Sequence, residues 1–294
     1  MHNTLTVRAL HPVFAAEIRG LDLREPLTPD IATAIEQAVD RYAVVVFRDQ
    51  QIDGDQQMAF AENFGTIEPT RANVGVEKDR LKPGLNDISN LGADGSILAK
   101  DARRRIFNLG NRLWHSDSSF KKVPAKYSML YGKIIPPVGG QTEFADMRAA
   151  WDALPEETQQ QISDLVCEHS LLFSRAVLGF ADFTEAERAT YAPVRQRLVR
   201  RHAGSGRRSI FLSSHIGGID GWQVPEALAL LRDLTEHATQ REFVYTHQWR
   251  VNDLVLWDNR CTMHRGRAYD DQRHPRDMQR VTLEDSASTL DQPA

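Results

Sequence analysis

His115 and Asp117, in Leu113-Trp114-His115-Ser116-Asp117-Ser118, stand two residues apart, and on an extended strand that spacing projects an imidazole and a carboxylate to the same side. Such a pair is half of a metal site. The candidate for the other half is His264, in Trp257-Asp258-Asn259-Arg260-Cys261-Thr262-Met263-His264-Arg265, where an apolar strand ends in turn-forming residues before a new His. Two imidazoles and one carboxylate on one face of a metal leave three positions open, the arrangement in which non-haem Fe(II) oxygenases hold a co-substrate and O₂. The same ligands could also hold Zn²⁺ for hydrolysis, or sit in a metal-binding barrel without catalysis.

Groups that bind anions follow in the chain. Arg276 and Arg280 lie downstream of His264, and each guanidinium is a planar fork suited to bidentate contact with a carboxylate, so the two could hold two different acids near a metal. Arg and His crowd residues 260–280, so a solvated basic segment is the competing reading. Thr142, in Gly139-Gly140-Gln141-Thr142, has a hydroxyl that could donate to a carboxylate or cap its own turn.

These residues need a scaffold, and the hydrophobic pattern supplies its outline. Ile31, Ala34, Ile35, Ala38 and Val39 recur at helical spacing behind Thr28-Pro29-Asp30, predicting a helix over 30–42, and Ala43-Val44-Val45-Val46-Phe47 then reads as a buried strand. Further helices are predicted over 54–64, 147–167 and 225–239, and further strands over 127–135, 198–203, 209–214, 243–249 and 253–257. The predicted class is mainly β with inserted helices, a sandwich or jelly-roll core rather than an alternating parallel sheet. One domain is expected over 1–294. The segment 68–112, rich in Asn, Gly, Asp, Lys and Arg with little periodicity, reads as a lid or specificity segment, and 285–294 as a flexible tail. Gly204-Ser205-Gly206-Arg207 alone is a turn signal, with little weight as a nucleotide motif.

Composition narrows the partners. With 36 basic and 40 acidic residues mixed along the chain and a formal charge of −4, no overall field favours nucleic acid or an anionic membrane, so a small molecule is expected as the partner. Two cysteines far apart, Cys167 and Cys261, argue against a disulfide framework. The N-terminal stretch has no charged-then-apolar signal pattern, and no apolar run approaches the roughly 20 residues that span a bilayer, so a soluble cytoplasmic protein is expected.

Together these pieces resemble the taurine/2,4-D dioxygenase family of Fe(II)- and 2-oxoglutarate-dependent oxygenases over nearly the whole chain. The resemblance is carried by His11-Pro12-Val13-Phe14, Leu113-Trp114-His115-Ser116-Asp117-Ser118-Ser119-Phe120, Gly139-Gly140-Gln141-Thr142-Glu143-Phe144, Asp146-Met147-Arg148-Ala149-Ala150, His202-Ala203-Gly204-Ser205-Gly206-Arg207 and two further blocks. Those two, Glu236-His237-Ala238-Thr239-Gln240-Arg241-Glu242-Phe243-Val244-Tyr245 and Trp257-Asp258-Asn259-Arg260-Cys261, favour the aryloxyacetate-cleaving branch. The resemblance implies a double-stranded β-helix, with His115, Asp117 and His264 as iron ligands and Thr142 with Arg276 on the distal carboxylate of 2-oxoglutarate. It places Arg280 where the family grips the acid of the primary substrate, and Asn111, His202 and His215 beside the substrate pocket. The stretch from His264 to Arg276 is one residue longer than the family pattern and Pro275 precedes Arg276, so Arg273 competes for the co-substrate.

The implied activity is hydroxylation of the carbon next to the ether oxygen of an aryloxyalkanoate, such as an aryloxy acid herbicide. The products would be a phenol and glyoxylate, or the matching 2-oxo acid, with succinate and CO₂. Fe(II), 2-oxoglutarate and O₂ are the implied cofactors, ascorbate supports activity, and a homo-oligomer is expected. A taurine or alkylsulfonate substrate, releasing sulfite, is the alternative within the family.

Overall fold

Residues 5–69 and 80–292 are described in the computed structural model. The predicted cover at 68–112 is therefore described in part, with residues 70–79 outside the account, as are 293 and 294 of the predicted tail.

Strands β1 (Thr6–Ala9) and β2 (Ala16–Arg19) pair antiparallel at the start. Helix α1 (Pro29–Tyr42) begins where the Thr28 hydroxyl accepts the Ile31 N–H and Pro29 occupies the first turn, and it ends at Ala43 with φ 59°. Strand β3 (Val44–Phe47) is buried at every position and runs parallel to β2. Helix α2 (Gly54–Glu62) starts in a capping box between Asp53 and Gln56.

The segment predicted to be irregular contains β4 (Asn86–Asp87), α3 (Arg103–Asn108) and a 3₁₀ turn at Leu109–Arg112. Strands β5 (Ala125–Ile134) and β6 (Thr142–Asp146) follow. The single helix predicted over 147–167 is in fact α4 (Met147–Asp152), α5 (Glu156–Ile162) and strand β7 (Val166–His169). Pro155 breaks it, since proline cannot donate within a helix but suits the start of a new one.

The remaining order is α6 (Leu171–Ala176), α7 (Glu185–Thr190), β8 (Val194–Arg197), β9 (Val199–Arg201), β10 (Arg208–Ile210), β11 (Ile216–Ile219) and α8 (Val224–Ala238). Strands β12 (Val244–His247), β13 (Leu254–Asp258), β14 (Thr262–Gly266) and β15 (Asp277–Glu284) close the chain. None of the described helices is long and apolar enough to cross a membrane.

The largest sheet has the order β1-β2-β3-β13-β5-β15-β4, and β12-β6-β14 form a smaller one. Both faces of the large sheet are covered, which is why β3 and β13 read as continuous apolar runs. Val45, Phe47, Met129, Leu254 and Leu256 pack with Ile35 and Val39 of α1 and Phe60 of α2. On the opposite face Val44, Val46, Leu130, Val255 and Trp257 pack with Phe144 of the small sheet. The mainly β architecture with helices agrees with the expectation from sequence.

The predicted flexible tail is docked as far as residue 292. Asp285 accepts from Arg200 at 2.6 Å, and Thr289, buried, donates to Gln196 at 2.6 Å and accepts the Arg197 N–H at 2.9 Å. The tail supplies a donor to the side-chain carbonyl oxygen of Gln196 and an acceptor to Arg200 Nη2, both on buried side chains.

Candidate functional site

His264 sits mid-strand in β14, held in register by β6. His115 meets it through a reciprocal backbone bridge, with His115 N–H to His264 O at 3.0 Å and His264 N–H to His115 O at 2.8 Å. The bridge sets the two imidazoles side by side, ring centroids 4.2 Å apart. Asp117 does not reach them along a strand, as its spacing suggested. It lies in a turn, followed by Ser118 at φ 52°. That turn is pinned by the Asp117 N–H to Asn259 Oδ1 at 3.1 Å, Ser118 Oγ to Glu68 Oε2 at 2.9 Å and Ser116 Oγ to Thr262 O at 2.9 Å. Polar groups from two distant segments, Glu68 and the 259–262 turn, and not pleat periodicity, bring the carboxylate to the histidines.

All three side chains are buried, and their ligand atoms lie within 4.8 Å of one another. His115 Nε2 is 3.7 Å from Asp117 Oδ1 and His264 Nε2 is 3.8 Å from Oδ2, too far for hydrogen bonds. His115 Nδ1–H donates to the Leu113 carbonyl at 2.7 Å, which leaves Nε2 as the ring's lone-pair atom. Burial drives both imidazoles below their ordinary pKa, His264 further because His115 adjoins it. Burial works against ionised Asp117, but the Arg280 guanidinium, then His264, His115 and the Ser128 hydroxyl outweigh it and hold the carboxyl well below the usual range. Neutral imidazoles beside an ionised carboxylate are the protonation states that a divalent cation requires of its ligands.

Two anion-binding groups adjoin this cluster. Arg280 Nη1 donates to Asp117 Oδ1 at 2.6 Å, while its buried Nε has no partner among the described residues. Arg276, just before β15, is buried; among the described residues its Nε is unpartnered and its Nη2 reaches only the Gly140 carbonyl at 3.5 Å. Burial, with Arg112 nearby, lowers its pKa to about 10 despite Tyr269, and no carboxylate among the described residues compensates it. Such a buried cation fits an anionic ligand. Arg276 shares a cavity with Thr142, His115, His264 and Arg280. The Thr142 hydroxyl accepts from Trp249 Nε1 at 3.0 Å, so its own hydrogen is available to an acceptor. Arg273 is turned outward, its side chain 82% exposed beside Asp270, which removes it as the competitor of Arg276.

A neighbouring cavity holds Asn111, His215, Arg280, Phe107 and Phe120, walled by Leu81 to Ile88 of the predicted cover and by α3. His215 is fixed there by Ser174 Oγ at 2.8 Å from Nδ1 and by Phe120, ring centroids 4.7 Å apart. His202, expected beside this pocket, is elsewhere: it borders neither cavity and bonds Asp258 Oδ2 at 2.8 Å through Nε2 and Ser205 through Nδ1. A buried aspartate claimed it. Reading residues one at a time missed Ser128, Glu68, Trp249 and Asn90, whose Oδ1 accepts the Arg276 N–H at 2.8 Å; none has a spacing signal. Asn259 stood inside a motif, but its role became visible only through its bonds to Asp117, Trp257 and Ser128.

Comparison with known proteins gives concordant results. The profile of the Taurine catabolism dioxygenase TauD, TfdA family matches residues 6–282. The chain is 48% identical to the alpha-ketoglutarate-dependent 2,4-dichlorophenoxyacetate dioxygenase of Cupriavidus pinatubonensis, over 97% of this chain and 99% of that one. It is 34% identical to the (S)-phenoxypropionate/alpha-ketoglutarate-dioxygenase of Sphingobium herbicidovorans, covering 92% of each. Among solved structures, that of AAD-2 in complex with Mn(II) and N-oxalylglycine superposes with a TM-score of 0.91 at 56% identity, covering 98% of this chain and 100% of that one.

Proposed function

The chain belongs to the TauD/TfdA family, and from that premise we propose that it oxidises the carbon next to the ether oxygen of an aryloxyalkanoate. It is an Fe(II)- and 2-oxoglutarate-dependent dioxygenase. Fe(II) with 2-oxoglutarate and O₂ supplies the oxidising power that puts one oxygen into a C–H bond, with succinate and CO₂ as by-products. The observation that carries the site assignment is that Arg276, buried with no carboxylate partner among the described residues, shares one cavity with His115 and His264, the two imidazoles whose ligand atoms lie within 4.8 Å of the Asp117 carboxylate.

In this reading His115, Asp117 and His264 hold the metal. Asn259 and Ser128 orient Asp117, and Leu113 fixes the tautomer of His115. Arg276 and the Thr142 hydroxyl neutralise the distal carboxylate of 2-oxoglutarate, and burial makes that contact strong. Arg280, with one amine on Asp117, uses its unpartnered Nε toward the carboxylate of the aryloxy acid. The aromatic ring lies among Phe107, Phe120 and His215, with Asn111 on the border of both cavities. Described residues of 80–112 cover this pocket and exclude water. Hydroxylation beside the ether oxygen leaves a hemiacetal, which collapses to the phenol and glyoxylate, or to the matching 2-oxo acid. The two facing sheets support a double-stranded β-helix core, and the chain is read as one catalytic domain.

The test is succinate release by anaerobically purified protein given Fe(II), 2-oxoglutarate and ascorbate, with 2,4-dichlorophenoxyacetate present when O₂ is admitted. Phenol and glyoxylate in step with succinate are the expected result. Sulfite from taurine instead would move the substrate to the sulfonates, and absence of 2-oxoglutarate turnover with every acid tried would overturn the reading.

A further inference from the structure

Arg276 borders two cavities. One contains His115, Thr142, His264 and Arg280. The other is bounded by Arg105, Arg112, Arg267, Tyr269 and Asp271, and the two share Ile88, Asn111 and Gly266 besides Arg276. None of Arg105, Arg112, Arg267 or Tyr269 borders the cavity that holds Phe107, Phe120 and His215. The aryl pocket and this outer vestibule share Ile88, Asn108 and Asn111, but those arginines and Tyr269 line the vestibule and the aromatic groups Phe107, Phe120 and His215 line the pocket.

The vestibule is basic. Arg105, Arg112, Arg267 and Arg276 face one carboxylate, Asp271, which Arg105 and Arg112 engage at 2.5 and 2.9 Å. The Arg267 side chain is 51% exposed, with Glu143 no nearer than 3.7 Å. A concave opening of one charge sign focuses field lines and raises the encounter rate of an oppositely charged ligand. Gly266 lines both cavities, and an added Cβ there would meet only the Asn111 carbonyl, at 3.6 Å, an ordinary contact. A larger side chain there would fill the passage without displacing backbone.

We propose that 2-oxoglutarate enters and succinate leaves through this vestibule, a passage separate from the mouth that admits the aryloxy acid. The proposal rests on the co-substrate role given to Arg276 above. Its consequence is kinetic: the dianion exchanges while the aryl pocket is occupied.

Stopped-flow tryptophan fluorescence on anaerobic, Fe(II)-loaded full-length protein measures 2-oxoglutarate association and dissociation, and equilibrium titration gives Kd. Gly266→Val is expected to slow association and dissociation together by about tenfold with Kd within twofold, the mark of an obstructed passage rather than a damaged site. Arg267→Glu, at an exposed position that carries the test if Gly266→Val fails to fold, is expected to slow association about tenfold at low salt. That effect shrinks as salt screens it, and the Kd for 2,4-dichlorophenoxyacetate stays unchanged. Wild-type protein saturated with 2,4-dichlorophenoxyacetate is expected to bind 2-oxoglutarate at an unchanged rate. A tenfold or greater slowing by the bound aryloxy acid, or unchanged rates in both variants, overturns the separate passage. Failure of wild type to bind 2-oxoglutarate at equilibrium would instead remove the co-substrate reading itself, and the passage with it.

Discussion

Among the described residues, two buried groups each gather three potential metal ligands within 4.8 Å: His115, Asp117 and His264 in one, His202, Asp258 and Cys261 in the other. In the second, His202 Nε2 donates to Asp258 at 2.8 Å, and Arg260 donates to the same carboxylate through Nε at 2.9 Å and Nη2 at 2.6 Å. Burial opposes charge on His202, but Cys261 and then Asp258 raise its pKa to about 10, so the ring keeps its proton. A protonated imidazole has no lone pair for a metal. In the first group burial prevails, both rings are neutral, and neither approaches Asp117 closely enough to bond it. Residue types and proximity are nearly the same in the two, so proximity alone does not make a metal site. What separates them is whether the protein itself completes each charge. The cations show the same contrast, since Arg260 has its carboxylate and Arg276 has none among the described residues.

The contrast can be broken by mutation, and the largest effect is expected at the first group. Asp117→Asn or His115→Ala should abolish Mn(II) binding measured by calorimetry and succinate formation together, with the melting transition retained; retained metal binding would refute the assignment. At the second group the cost should be stability. Asp258→Asn leaves His202 and Arg260 buried without their anion and should lower the unfolding free energy by about 3–5 kcal/mol in urea, while the folded fraction keeps its metal affinity.

The cations sharpen the comparison at a smaller scale. Arg276→Ala should weaken 2-oxoglutarate, and Arg280→Ala the aryloxy acid, each by about 2–5 kcal/mol of binding free energy measured by titration. The opposite pairing of losses would mean that the two arginine roles are exchanged. The smallest effect concerns pH. His202 has a folded-state pKa raised from 6.5 to about 10, so its stabilisation is complete below about 6.5 and is lost as pH rises through about 10. The wild-type urea midpoint should carry this decline over that window, and His202→Gln should lack it.

Much of the fold was legible because it follows local rules. The period of Ile31, Ile35 and Val39 behind Thr28-Pro29 marks α1, and the apolar runs at β3 and β13 mark strands buried on both faces. The reading failed where long-range partners intervene. Pro155 and the pairing of β7 with β8 and β11 divided an apparent helix. The tail reads as loose because nothing near it in sequence shows that Gln196 and Arg200 bond it. At the site, His115, Asp117 and His264 were visible as types and spacings, but the strand invoked to join the first two is a turn held by Asn259, Glu68 and Thr262.

Sequence by itself determined the ligand chemistry available, the mainly β class and the family pattern. Only the tertiary structure decided that His202 is spent on Asp258, that Arg276 rather than Arg273 is buried toward the cavity, and that Arg280 reaches Asp117. The reason is physical. Side-chain type and local period are properties of neighbours along the chain, whereas desolvation and the presence or absence of a compensating charge depend on atoms that arrive from remote segments.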